Sequence, residues 1–383
     1  MSEASRALPG DRVEDRVAHP APASIAGRSI VGSPRLSAGL LGRTLDSSPP
    51  SAGTEVMATG VVSIALSLDG QQTLSRIMLG IAVVIWVALA VLAPLRAARD
   101  RAGFWADVRT PAALTGSVAT AVLGTRLTVL GWTWAGIAAL IIAFVLWAAL
   151  LGPVLAGWRS PTVGVSLLLA VSTESLAVLG STLAAPEHAR WLLIAALVPL
   201  GLGLGLYGFI ISRFGLDQLA VGRGDHWITG GALGISALAA AKITAVAEAL
   251  GILEGVVLKD IAAGLWVLAM LWLLVLLGAE ARWPRLRYDA GRWATVFPLG
   301  MYAASSFAVG AVAHAGAITS FARVSVWVAL AAWAIVFLAT LGRALEVVRQ
   351  ERRPAPDPPA PSAEEHSRHR GQLGPTSITR PTS

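Results

Sequence analysis

Apolar residues run along this chain in ten long blocks, at approximately 54–68, 74–94, 112–129, 132–151, 162–182, 191–212, 228–246, 256–277, 293–315 and 324–345. Most approach the roughly 20 residues that an α-helix needs to cross about 30 Å of hydrocarbon, so the pattern predicts ten transmembrane helices. The first block is short and is expected to begin a few residues earlier. Neither end of the chain continues the pattern. Residues 1–52 mix Arg, Asp, Glu, Ser, Ala and Pro with no sustained apolar run and no signal-peptide core, and from 348 to 383 charge and proline dominate. The expected organisation is a disordered tail over 1–52, an all-α membrane domain over 53–347 and a second disordered tail over 348–383.

Polar residues are not spread evenly over the ten blocks. The odd-numbered blocks hold 22 Ser and Thr against 5 in the even ones, whereas the even blocks hold nine Trp and the odd ones a single Trp. Bulky apolar helices suit lipid, and helices rich in Gly, Ser and Thr suit close packing or a wet cavity. The alternation predicts five helical hairpins, each with an inner and an outer member, the inner five enclosing a central pore. The competing reading is that the odd helices simply pack together at the centre with no passage.

Charge sets the orientation. The connections after blocks 2, 4, 6 and 8 hold Arg96, Arg99, Arg101, Arg109, Arg159, Arg213, Arg223, Arg282, Arg285, Arg287 and Arg292; the opposite side holds Arg76, Arg126, Arg190, Lys259 and Arg323. Basic excess marks the cytoplasmic side, which places both termini inside and requires an even number of crossings.

With 55% hydrophobic residues, 14% charged residues and a mean hydropathy of +0.66, a soluble domain is excluded. The net charge of +7 lies in tails and short connections between apolar blocks, as topology requires, so nucleic acid is not an expected partner. The absence of cysteine excludes disulfides and thiolate metal sites. His226 and His314 show no paired metal spacing, and no Ser/His/Asp or paired-carboxylate arrangement supports an enzyme, so neither metal nor cofactor is expected. GLGLGLYG in block 6 echoes a nucleotide loop but lies inside an outer helix, where packing accounts for it. Basic residues are nearly all Arg, and Ala and Gly are abundant, which points to a high-GC bacterium and a multi-pass protein of its inner membrane.

A few residues stand out against the apolar background. In block 9, Phe297 precedes Pro298, which cannot donate to the carbonyl of Ala294 and is expected to bend the helix locally. Met301, Ala304, Ser305 and Ala308 follow Phe297 on one helical face, so that face presents one large ring above a groove of small residues. Glu174 in block 5 and Lys242 in block 7 are buried charges at similar apparent depth; each costs at least about 2.5 kcal/mol near the bilayer centre and needs a partner or a cavity. If blocks 5 and 7 are neighbours the two can pair, either as a structural lock or in transport. Arg126 reads as positive charge at the outer mouth or as an anchor snorkelling to the interface. Glu55 reads as a pore-mouth carboxylate and Glu248 as interfacial.

The ten-block layout, VMATGVVSIAL from Val56 to Leu66 and WATVFPLGM from Trp293 to Met301 together resemble the tellurite-resistance/dicarboxylate transporter family. That family, in the voltage-dependent anion channel superfamily, includes bacterial tellurite-resistance channels, malate transporters and plant guard-cell slow anion channels. The resemblance covers roughly residues 53–347. It implies five hairpins around a central pore, often a homotrimer, passing small anions and closed by a Phe on the ninth helix, the position that Phe297 matches. The expectation is therefore an anion channel or uniporter for small inorganic or dicarboxylate-like organic anions. Two alternatives stand beside it: a proton-coupled dicarboxylate carrier using Glu174 and Lys242, and a non-transporting receptor or scaffold.

Overall fold

A computed structural model describes residues 53–158, 162–221, 224–252, 256–284 and 289–351. Of the expected tails, 1–52 and 352–383 lie outside the described residues, whereas 348–351, expected in the second tail, are helical; Arg159, Arg223, Arg285 and Arg287, among the charges used for orientation, also lie outside. The described residues are almost wholly helical and form no strand; Thr162 and Phe214 make one isolated bridge.

The ten main helices are α1 (Gly53–Leu68), α2 (Gln72–Arg99), α3 (Thr115–Val129), α4 (Thr133–Ala156), α5 (Leu168–Ala184), α6 (Arg190–Ile211), α7 (Ile228–Ala249), α8 (Val256–Arg282), α9 (Trp293–Val312) and α10 (Gly316–Glu351). Among the described residues nine helices are long and apolar enough to cross a membrane; α1, with 16 residues, falls short. Hydropathy marks the apolar part of a helix and not its ends. Thus α10 begins eight residues before its apolar block, and α2 continues to Arg99.

One stretch read as a connection is helical. Arg101–Val108 forms a short helix because Asp100 caps it, its carboxylate accepting from the Gly103 N–H at 2.9 Å. An ion pair between Arg96 and Asp107 ties this helix back to α2.

Burial divides the helices into two classes. The apolar windows of α3, α5, α7 and α9, with their leading 3₁₀ turns where present, are 78% to 100% buried, against 17% to 22% in α2, α4, α6, α8 and α10; α1 belongs with the buried class. Each odd helix packs on the even helix that follows it. The odd helices also pack on one another in the closed order α1, α3, α5, α7, α9 and back to α1.

The two compositional asymmetries prove to be halves of one device. Indole N–H groups of outer helices donate to hydroxyls of inner ones: Trp86 to Thr120 at 3.0 Å, Trp147 to Thr173 at 2.9 Å, Trp266 to Ser306 at 2.8 Å, Trp272 to Thr229 at 2.5 Å and Trp333 to Thr59 at 2.9 Å. In hydrocarbon an unpaired indole N–H has no water to turn to, so each tie fixes an outer helix against an inner one, at an average near 0.6 kcal/mol for such bonds. The Trp333–Thr59 bond joins α10 to α1 and closes the circuit of the chain.

Candidate functional site

The inner faces of the odd helices meet along one axis. A void of about 10 Å³ there is lined by residues from all five: Val61 and Ile64 of α1, Val122 and Thr125 of α3, Ser175 and Val178 of α5, Ile235 and Leu238 of α7, and Met301 and Ala304 of α9. A water molecule needs roughly 10–15 Å³ on this measure, so the centre has room for about one. Toward the ends at which the odd helices finish, a second cavity of about 390 Å³ opens, again lined by all five. Its wall takes in Leu68, Thr128, Thr182, Lys242 and Ala308.

Helical spacing connects the two spaces. On α9 the wall residues fall at 301, 304, 308 and 311, and on α7 at 235, 238, 242 and 245, the three-and-four step that keeps side chains on one face. One turn back, the same step reaches Met57, Val118, Val171, Gly231 and Phe297, all fully buried. Here α7 offers no side chain. A Cβ built on Gly231 would sit 3.1 Å from Phe297 Cε1 and 2.9 Å from Pro298 Cγ, so the glycine is what gives the ring its place. The axis therefore passes from an open cavity, through a void with room for about one water, to a buried layer in which Phe297 packs against Gly231. The α9 helix runs through Pro298 without interruption.

Two larger grooves, of about 490 and 540 Å³, lie off this axis, between α2, α3 and α4 and between α4, α5 and α6. Each involves outer helices and fewer than all the inner ones, so neither is a path along the bundle despite its size.

The remaining candidate residues part company with the sequence reading. Glu174 and Lys242 do not pair. Ser236 Oγ donates to Glu174 Oε1 at 2.7 Å, and Glu174 Oε2 has no hydrogen-bond partner among the described residues. The carboxyl points away from the axis toward α6, where a Cβ on Gly203 would run into the Glu174 side chain. Lys242 lies half buried in the wall of the open cavity, and no carboxylate among the described residues is within salt-bridge distance of it.

The two charges differ in height because their helices begin level. The 3₁₀ turns Gly164–Leu167 and Asp225–Trp227, which lead into α5 and α7, touch backbone to backbone at Gly164 and Asp225. Glu174 lies ten residues beyond Gly164 and Lys242 seventeen beyond Asp225. Seven residues of helix separate them by about 10 Å.

Arg126 neither lines the axial spaces nor snorkels outward. Its side chain is 1% exposed and donates from Nε to Ser75 Oγ at 2.8 Å and from Nη2 to Gln72 Oε1 at 2.9 Å. Ser75 in turn exchanges hydrogen bonds with Ser63, each hydroxyl 2.7 Å from the other's carbonyl, so the guanidinium knits α1, α2 and α3. Glu55 stands half buried in the first turn of α1 and lines neither axial space. The axial residues Gly231, Ile235 and Leu238 went unmarked in the sequence, although the three-and-four step through Lys242 reaches each of them.

A family profile described as Voltage-dependent anion channel matches residues 48–341. This chain belongs to that family. Its members conduct or transport anions across membranes, which agrees with the resemblance drawn from the motifs. Two curated relatives, the uncharacterized membrane proteins of Mycobacterium tuberculosis strains H37Rv and CDC 1551 / Oshkosh, are each 35% identical over 123 residues. That match covers 30% of this chain and 62% of theirs, so the chain spans less than two thirds of the length of the curated relatives.

Proposed function

We propose that this member of the voltage-dependent anion channel family passes small inorganic or organic anions along the axis of its five inner helices. In this reading ten helices cross a bacterial inner membrane as five hairpins, with both termini in the cytoplasm. The open cavity then faces outward, and the Phe297 layer lies on the cytoplasmic side of the void. The observation that carries it is the alignment, on one axis and on consecutive turns of the same faces, of a cavity with Lys242 in its wall, a void with room for about one water and the buried ring of Phe297.

The conformation described is closed. A hydrated anion does not fit a 10 Å³ space walled by Val, Ile, Leu and Met, so conduction requires Phe297 and Met301 to move. Passive conduction is favoured over proton coupling because Glu174 lies off the path and is separated from Lys242 in height. A homotrimer belongs to the proposal on family grounds, and cross-linking in native membranes tests it.

The decisive experiment is reconstitution of the purified chain in liposomes under voltage clamp. Currents whose reversal potential follows the anion gradient support the channel. Uptake driven only by a pH gradient supports a coupled carrier, and no transport leaves the scaffold reading.

A further inference from the structure

We infer that Lys242 selects among anions by charge number, admitting monoanions and disfavouring dicarboxylates. This rests on the path proposed above and narrows its substrates. The outer cavity, of about 390 Å³, is large enough for either class, so size does not separate them. Its wall does. Among its described residues Lys242 is the one that carries charge; the rest of that lining is aliphatic or aromatic apart from Thr128 and Thr182.

Both threonine hydroxyls are already committed, Thr128 Oγ1 donating to the Gly124 carbonyl at 2.8 Å and Thr182 Oγ1 to that of Val178 at 2.7 Å. An anion in this space therefore meets one ammonium group and no other unspent side-chain donor. A monoanion is neutralised there. A dianion keeps a net charge, and beyond the cavity the path narrows to the void walled by Val, Ile, Leu and Met, where that charge has to shed its water.

A further feature acts in the same direction. The inner helices finish toward this cavity, and their last carbonyls give it a partial negative potential that Lys242 offsets from within the wall. Arg126 supplies no second contact, because its guanidinium is held by Ser75 and Gln72 on the far side of α3.

The test compares succinate with monomethyl succinate, which shares its skeleton, is slightly larger and carries one charge, together with nitrate. Fluxes into liposomes are measured for the full-length protein and for Phe297→Ala, so that a closed seal does not mask the comparison. The inference requires monomethyl succinate and nitrate to pass at least tenfold faster than succinate. Because the chain contains no cysteine, Lys242→Cys creates a unique thiol. Nitrate flux is expected to fall at least tenfold in that variant, to return on attaching an aminoethyl thiosulfonate and to stay low with a sulfonatoethyl one.

Equal passage of succinate and its monoester overturns the inference, as does a Lys242→Cys protein that conducts nitrate normally before and after both reagents. Should that variant not insert, the succinate ratio in the parent protein decides by itself. Absence of flux for every anion in both the parent and Phe297→Ala overturns the channel reading, a result distinct from unselective flux.

Discussion

Truncating Phe297 to Ala separates an occluding ring from a packing ring, because the two differ in sign for flux per folded molecule. The ring is fully buried. Removing it vacates roughly 100 Å³, and at about 24 cal/mol per Å³ an empty cavity of that size costs about 2.4 kcal/mol, within the 3–5 kcal/mol total typical of Phe→Ala in soluble cores. On the proposed axis the vacated space does not stay empty. At about 30 Å³ per water it admits roughly three, where the neighbouring void of about 10 Å³ holds about one. The cavity share of the cost then largely disappears, and the variant is expected to lose only about 1–2 kcal/mol of stability. If the ring contributes about 3 kcal/mol to the barrier for permeation, flux rises about 100-fold.

Met301 remains one turn further out in the void wall, but its unbranched thioether is adaptable and gains room from the lost ring. Three variants therefore form an ordered series. Met301→Ala alone keeps the Phe297 seal and is expected to conduct little, Phe297→Ala conducts more, and the double variant conducts most. The assay is anion flux in liposomes normalised to monodisperse folded protein, with thermal unfolding measured on the same samples. A well-folded Phe297→Ala protein with unchanged or reduced flux refutes the gate, and so does a Met301→Ala protein as permeable as the double variant.

Three other expectations follow from contacts already described. Gly203→Ala drives a methyl into the Glu174 side chain and is expected to destabilise by about 1–3 kcal/mol or more, with Glu174→Ala in the same protein relieving most of the loss; thermal unfolding of the pair checks this, and no relief would place the clash elsewhere. Glu174→Gln and Lys242→Gln share no partner, so their stability effects are expected to add within about 0.5 kcal/mol, and a coupling above about 1 kcal/mol would restore the ion pair that the geometry removes. Arg126→Met breaks two buried hydrogen bonds from a charged donor and is expected to cost about 2–4 kcal/mol while leaving anion selectivity per folded molecule unchanged; altered reversal potentials would show that its field reaches the path.

The inner and outer classes of helix were legible in the sequence because Trp and Ser/Thr segregate by block, and the position of Phe297 on an inward face follows from its spacing to Met301, Ala304 and Ala308. Heights were not legible. Glu174 and Lys242 look equally deep when counted from the edges of their apolar blocks, but Thr162 and Val163 precede the first turn of that unit and α7 runs on to Ala249. Partners were hidden for a different reason. Arg126 finds Ser75 and Gln72 more than fifty residues away in the chain, and an uncharged partner leaves no charge pattern to read. The capped helix Arg101–Val108 escaped because hydropathy does not register a polar helix at a membrane surface.

The same hydroxyls that revealed the inner helices were expected to line a wet pore, and their actual use changes the account of selectivity. Thr59, Thr120, Thr125, Thr128, Thr173, Thr182 and Thr244 each donate to the carbonyl four residues back, and Thr59, Thr120 and Thr173 also accept from outer-helix tryptophans. Once its single hydrogen is committed, a hydroxyl presents lone pairs, which attract cations rather than anions. A path walled by such residues and by Val, Ile, Leu and Met gains nothing from them in binding an anion, and its narrowest part excludes ions by remaining nearly dry. Preference for anions must then come from fixed positive charge on the axis, and among the described axial residues that charge is Lys242. Ser and Thr hold the two layers of helices together, so on the proposed path the apolar faces are left to close it and one ammonium group to set the sign of what enters.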